Sequence, residues 1–135
     1  QEKQANTSST SQTLFNLKLL AYERIILFIE RIKPDSFIPR TLSPSLPYQE
    51  YQLLLINEIR KEFEYNLSQQ LYLSENAREV TVNFKDNIIT LINSAATSCP
   101  PQATASDLAR KILEHYISSD LKGDQILKIV KAEIQ

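Results

Sequence analysis

The amino-acid sequence predicts an all-α protein, a bundle of about four to five helices. Apolar residues recur at spacings of three and four along most of the chain, which is the period of an α-helix. The 135 residues include a single glycine, against an average usage of roughly 7%. Tight β-hairpin turns depend on the positive φ that glycine allows, so this composition disfavours a hairpin-rich fold.

The stretch from Leu14 to Ile32 has the clearest helical period and is predicted to be the central helix, over about residues 12–33. Two neighbouring apolar rows run along it, namely Leu14, Leu17, Ala21, Ile25, Phe28 and Ile32, and beside them Phe15, Leu19, Tyr22, Ile26 and Ile29. Together they form an arc wider than the roughly 100° stripe of an ordinary surface helix. Such a helix needs at least two neighbours, from this chain or from a partner.

The later helices follow the same three-four spacing, and their predicted ranges are 48–73, 75–96, 105–118 and 124–134. Ser74 is a good N-cap, and Thr104 with Asp107 three residues later resembles a capping box. The inner faces of the last two helices are predicted to comprise Leu108, Ala109, Ile112, Tyr116 and Ile117, then Ile126, Leu127, Ile129, Val130 and Ile134. Val80, Val82 and Phe84 also alternate like a strand; we favour a helix because the helical period extends on both sides.

Two segments lack the helical period. Residues 1–12 are polar and rich in Ser, Thr and Gln, so we predict a linker or a frayed helix extension in front of a single helical domain over residues 13–135. The segment 33–47 contains four prolines, and we predict that no helix runs through it. It is interpreted as a stiff connection; the alternative is a proline-rich ligand for another domain.

Composition and charge exclude several function classes. The net charge of −1 offers no general attraction to nucleic acid. No uninterrupted apolar run reaches the roughly 18 to 20 residues of a membrane span. The one cysteine, Cys99, allows neither an internal disulfide nor a cysteine-based metal cluster, and it fits a reducing compartment.

The sequence shows no recognisable catalytic or metal-binding pattern. His115 is the only histidine, so histidine-based nucleophilic sites could form only around it. Glu62 and Glu64 are two residues apart and so point to different faces of a helix. The Glu-x-x-His motif of di-metal bundles is absent. We therefore expect a protein that is not an enzyme and has no metal or cofactor, the alternative being that Glu62, Glu64 or His115 converge in one cleft.

Aromatic residues are concentrated on the second predicted helix, where tyrosine can supply a large contact area at low entropy cost. We predict a possible interface that combines these tyrosines with the second apolar row of the first helix. Its members are Phe15, Leu19, Tyr22, Ile26, Tyr51, Tyr65 and Tyr72. The alternative is that the tyrosines of the second predicted helix line the rim of the bundle with their hydroxyl groups in water.

Three stretches, LLAYERIILFIERIKP, EIRKEFEYNLSQQLYLSENA and KDNIITLINSAA, resemble an uncharacterised family of small proteins from Bacteroidota that carry a domain of unknown function. The resemblance covers roughly Leu17 to Ala96. Members of that family carry one N-terminal transmembrane helix, a polar linker and a helical domain. The resemblance therefore implies that a membrane anchor precedes Gln1, that residues 1–12 are its tether, and that no catalytic residue can be transferred.

We expect a membrane-tethered, protein-interaction or scaffolding module that binds another protein or itself. The alternative is a helical domain that binds a small apolar ligand or a lipid, which would require an enclosed apolar cavity of roughly 300 Å³ or more. The chain lacks methionine, also at position 1, and we expect a segment upstream of it. The lone cysteine favours the cytoplasmic side of the membrane.

Overall fold

A computed structural model describes the backbone of residues 2–67 and 70–134, and the side chains of residues 9–67 and 71–134. Within these residues there are six α-helices and no β-strand. The predicted all-α class is confirmed, with six helices where four to five were expected. In chain order they are α1 (Glu2–Ile32), α2 (Pro34–Thr41), α3 (Tyr48–Asn66), α4 (Glu75–Thr97), α5 (Ala105–Ser118) and α6 (Gly123–Ala132).

Helix α1 begins at Glu2, well before the start predicted near residue 12. Two side-chain bonds one turn apart lie in its polar turns. The Thr13 hydroxyl donates to the carbonyl of Ser9 at 2.8 Å, and the Gln12 amide donates to Asn16 Oδ1 at 3.2 Å. The segment predicted as a linker or a frayed helix extension is thus helical from Glu2, and its role as a tether stays a prediction.

No helix runs through the whole of segment 33–47, but the connection expected there is not free of helix, because the short helix α2 lies within it. Pro34 occupies the start of α2, where a missing N–H costs little. Pro39 lies inside the helix, but the carbonyl that its N–H would have reached belongs to the exposed first-turn residue Asp35 and can bond water. Burial of Phe37 and Ile38 holds α2 against the bundle.

Helix α3 ends at Asn66, so the predicted range 48–73 is too long. The Asn66 side chain is buried and donates to the carbonyl of Glu62 at 2.8 Å, a local bond that competes with continued helix. Leu67 is buried, and a single 3-10 turn follows over Gln70–Tyr72. Residues 68 and 69 of the predicted helix lie outside the described part of the chain.

Helices α4 and α5 agree closely with their predicted ranges. The Ser74 hydroxyl accepts from the N–H of Ala77 at 2.9 Å, and both bonds of the Thr104–Asp107 capping box are present. The strand alternative around residue 82 is excluded, because α4 runs through it. The prediction that Ile117 and Ile129 lie on inner faces is wrong. They are 72% and 42% exposed, because the rows that end in Tyr116 and Val130 are the ones facing the core.

The six helices share one apolar core. Helix α1 packs against α3, α4 and α6, while α2 packs against α1 and α5. The starts of α3 and α5 are joined by two backbone bonds, from Tyr48 N to the carbonyl of Ala103 and from Ala105 N to the carbonyl of Leu46. The largest fully buried side chains are Tyr22, Tyr51, Phe28, Phe37, Phe84, Ile25, Ile29, Ile32, Leu55, Ile59, Ile88 and Ile92.

Candidate functional site

The seven residues predicted as an interface are placed in three different environments. Tyr22 and Tyr51 are 1% and 0% exposed and belong to the core, so they offer no surface to a partner. Leu19, Ile26 and Tyr72 are half-buried. Phe15 and Tyr65 are 52% and 74% exposed. The structure therefore does not bring the seven together on one surface.

The two buried tyrosines satisfy their hydroxyl groups inside the chain. Because the Thr41 hydroxyl donates to the carbonyl of Phe37 at 2.9 Å, the Tyr51 hydroxyl is the donor in its 2.9 Å bond to Thr41. Burial raises the pKa of Tyr51. The Tyr22 hydroxyl accepts from the N–H of Ser74 at 3.1 Å and donates to Glu133 at 3.2 Å. For Tyr51, the alternative of a position on the hydrated rim is wrong.

Three exposed apolar side chains lie on the N-terminal half of α1. No side chain from residue 9 to residue 20 is buried, and we call this segment the α1 overhang. Leu14 is 53% exposed, Phe15 52% and Leu20 40%. Leu14 and Phe15 begin the two apolar rows whose later members form the core, so the core-facing side of α1 continues beyond the part that the bundle covers.

A cleft of about 480 Å³ lies between α1 and the C-terminal half of α3. The side chains that line it are Leu27, Arg31, Glu58, Lys61, Glu62, Tyr65 and Asn66. Arg31 crosses it to form an ion pair with Glu62 at 2.8 Å. Glu62 also accepts a bond from the buried Asn66 amide at 3.2 Å, and the guanidinium carbon of Arg24 lies 5.9 Å from the Tyr65 ring centroid.

The charged groups of this cleft are largely engaged with one another. Glu62 is paired with Arg31, and Glu58 Oε1 lies 3.8 Å from Lys61 Nζ. The cleft is open to solvent, and four of its seven lining residues are charged. Because the cleft is open, it differs from the enclosed cavity that the ligand-binding alternative would require.

The residues considered for catalysis are separated in space. Glu62 lines the cleft, whereas Glu64 and His115 are exposed and are not among the cleft residues. Cys99 is buried and its thiol contacts the carbonyl of Ala95 at 3.8 Å. Throughout the described residues, no three side chains of His, Cys, Asp or Glu cluster closely enough to bind a metal ion. None of the helices in that part of the chain combines the length and apolarity that spanning a bilayer requires.

Several surface residues were missed at the sequence level. Leu20 and Leu27 belong to neither apolar row and are 40% and 48% exposed. Their separation of seven residues, with Arg24 between them, places them on a second side of α1, and a helical projection would have found this signal. No sequence pattern pointed to a role for Glu133, because its hydrogen-bond partners Ser74 and Asn76 are nearly sixty residues away in the chain.

Comparisons with other proteins give one result at the level of the family. Among curated proteins none matches the chain significantly, and the same holds for solved structures. A family model described as "Family of unknown function (DUF7935)" matches residues 1–135. This match spans the whole sequence and all six helices described above, and the chain therefore belongs to the DUF7935 family of unknown function.

Proposed function

We propose that this domain is a non-enzymatic protein-interaction or scaffolding module, and that the α1 overhang is its contact surface. One observation carries the proposal, namely the change in burial along a single face of α1. The residues Ala21, Ile25 and Phe28 are at most 2% exposed, whereas Leu14 on the same row is 53% exposed. This row is thus covered within the chain from Ala21 onward, half-buried at Leu17 and exposed at Leu14.

The energetics favour a protein partner for this surface. Burying a Leu or Phe side chain contributes about 1.5 to 3 kcal/mol. Leu14, Leu17 and Phe15 lie on adjacent rows of one helix, which is the arrangement that helix-binding grooves and neighbouring helices recognise. Leu20 lies with Leu27 on a second side of α1, and Leu27 lines the cleft.

Photo-crosslinking in cells tests the proposal. A photoreactive amino acid replaces Phe15 in the full-length protein, and in a matched control it replaces Ile117, which is 72% exposed on α5. We expect a discrete protein adduct from position 15 and none from position 117. The proposal fails if position 15 gives no adduct, or if both positions give the same set of adducts.

The proposal includes attachment to a membrane, with the domain on the cytoplasmic side, and an origin in Bacteroidota. Support comes from the resemblance to a membrane-anchored family and from the polar composition of residues 1–12. Fractionation and protease protection of the full-length protein in its native host test both attachment and sidedness. Recovery of the full-length protein in the soluble fraction would contradict the attachment.

A further inference from the structure

We propose that α6 is a displaceable cover on the second apolar row of α1, and that its release lengthens the surface that binds protein. This row comprises Phe15, Leu19, Tyr22, Ile26 and Ile29. The inference rests on the proposed function and adds how the same surface is regulated. Three observations support it: the course of α6 along the row, the point where the row becomes buried, and the way in which α6 is held.

Two contacts define the course of α6 along α1. Near the start of α6, Asp124 forms an ion pair at 3.0 Å with Lys33, which directly follows α1. At the other end, Glu133 accepts from the Tyr22 hydroxyl at 3.2 Å. Because Tyr22 precedes Lys33 whereas Glu133 follows Asp124, the two helices run antiparallel. Tyr22 belongs to the second row, and Lys33 continues the spacing of that row one turn beyond Ile29, so α6 lies along this row.

The burial of the second row changes at the end of α6. Tyr22 and Ile29 are 1% and 0% exposed, and Ile26 between them is half-buried. Leu19 and Phe15 lie on the N-terminal side of the contact at Tyr22; Leu19 is half-buried and Phe15 is 52% exposed. Release of α6 would therefore extend the exposed part of the row from Phe15 toward Tyr22 and Ile26.

Helix α6 has the features of an element that can separate from the bundle. It has 10 residues, and isolated helices shorter than about 12 to 15 residues are marginal in water. Its buried side chains are Leu127 and Val130, and among the described residues no side chain caps its start. By contrast, α5 buries Leu108, Ile112 and Tyr116 and begins with a capping box. Elements with few buried contacts open locally before the whole fold does, and α6 is such an element.

Polar groups secure both ends of α6. The Asp124 side chain is 83% exposed, and ion pairs at exposed sites contribute little to stability. At the other end, the carboxylate of Glu133 accepts from the Ser74 hydroxyl at 2.6 Å and from the Asn76 amide at 3.1 Å. Removing the charge from both carboxylates should therefore loosen the two ends of α6 while the apolar contacts of Leu127 and Val130 remain.

The first experiment measures hydrogen exchange of the backbone amides in the 135-residue chain. The test variant combines Asp124→Asn with Glu133→Gln. The matched control, Glu64→Gln with Glu114→Gln, removes the same charge at exposed positions of α3 and α5. Circular dichroism checks that all three proteins are folded.

We expect the amides of α6 to be less protected than those in the middle of α3 in the wild type, because α6 opens locally. The test variant should lower protection in α6 by about tenfold, as the loss of a hydrogen bond to a charged group does, and the control should match the wild type. Equal protection of α6 and α3 in the wild type overturns the inference, because α6 then opens only with the whole bundle. So does unaltered protection of α6 in the test variant.

The second experiment connects release to binding. The photoreactive amino acid replaces Phe15 in the full-length protein, in the wild-type, test and control backgrounds. We expect a several-fold higher yield of the protein adduct in the test background alone. An unchanged yield, or an equal rise in the control, refutes the role of α6 as a cover while the proposed interaction function stands. If position 15 gives no adduct in any background, the proposed function fails and the inference fails with it.

Discussion

At the scale of single residues, the carboxylate of Glu133 joins the C-terminal end of the chain to α1 and α4. It accepts from the Ser74 hydroxyl at 2.6 Å, from the Asn76 amide at 3.1 Å and from the Tyr22 hydroxyl at 3.2 Å. These hydrogen bonds hold the pKa of Glu133 below its usual value, and the bond from Ser74 contributes most. Folding therefore favours the charged form of this group.

The sign of the pH effect follows from this lowered pKa. Glu133 stabilises the fold at pH values above its unfolded pKa, and this contribution is lost as the pH falls through the folded pKa. We predict that Glu133→Gln lowers the free energy of unfolding at pH 7 and flattens its decline below about pH 5. Urea unfolding at several pH values measures both. The control is Glu79→Gln at an exposed site on α4; parallel pH curves for wild type and Glu133→Gln would contradict the prediction.

Gly123, the only glycine in the sequence, lies at a close approach between the start of α6 and the side chain of Lys33. A Cβ at this position would overlap Cγ and Cδ of Lys33 and would lie 3.2 Å from the hydroxyl of Tyr116. That hydroxyl accepts from the N–H of Gly123 at 2.9 Å, and Lys33 forms an ion pair with Asp124 at 3.0 Å. Partial burial lowers the pKa of Lys33, but the bond to Asp124 and its charge outweigh burial, and the pKa is raised.

We predict that Gly123→Ala destabilises the protein by about 1 kcal/mol, the usual size for a substitution that displaces a partly buried neighbour. In a Lys33→Ala background the loss should be smaller, because the overlap with Lys33 is gone and only the 3.2 Å contact with the Tyr116 hydroxyl remains. A double-mutant cycle from chemical denaturation measures the difference. Equal effects of Gly123→Ala in both backgrounds would show that Lys33 is not the obstacle.

At the scale of elements, short-range side-chain bonds stabilise the starts of α4 and α5. At α5, the Thr104 hydroxyl accepts from Asp107 N, and the Asp107 carboxylate accepts from Thr104 N at 3.0 Å. The bond from this N–H is the main cause that lowers the pKa of Asp107. Since Ala105 N also donates to the carbonyl of Leu46, the start of α5 is tied to the start of α3 as well.

We predict that Thr104→Ala costs about 1 kcal/mol in the free energy of unfolding, as N-cap removals typically do. Thr97→Ala is the matched control, because Thr97 is exposed at the end of α4 and its hydroxyl donates only to the carbonyl of Ser94, one turn back. Thermal or urea unfolding distinguishes the two variants. An equal loss of stability in both would mean that the capping bonds contribute nothing.

At the scale of the whole molecule, the two parts of α1 lie in different environments. Its C-terminal half is in the core, where Phe28 is 0% exposed and meets the ring of Phe63 edge-on with centroids 5.7 Å apart. Its N-terminal half, the overhang, extends along about 18 Å at 1.5 Å per residue. The bundle and the proposed contact surface are therefore parts of one continuous helix.

Two Phe→Ala substitutions on this helix should differ sharply in their effect on the free energy of unfolding. We predict that Phe28→Ala lowers the free energy of unfolding by about 3 to 5 kcal/mol, because it leaves a cavity in the core. Phe15→Ala should change it by less than about 0.5 kcal/mol, as exposed substitutions usually do. Urea unfolding makes the comparison. A large loss for Phe15→Ala would place Phe15 in the core.

The accuracy of the sequence-based predictions depended on the range of the interactions involved. Ser74 and the Thr104–Asp107 pair were found because a cap is formed by residues three apart. Helix α2 was missed because the burial of Phe37 and Ile38 outweighs proline's local preference. The seven residues of the predicted interface were separated because two of them are buried. Tyr22 bonds to Glu133 and Tyr51 bonds to Thr41. Only the fold brings Glu133 within reach of Tyr22.

The sequence by itself determined the all-α class, the limits of α4 and α5, and the two apolar rows of α1. These features follow from helical period and local hydrogen bonds, which act over one or two turns. The tertiary structure alone decided where along those rows burial begins, at Ala21, and which tyrosines remain on the surface. Periodicity shows which side of a helix is apolar. How far along the helix that side is buried depends on which distant helices pack against it.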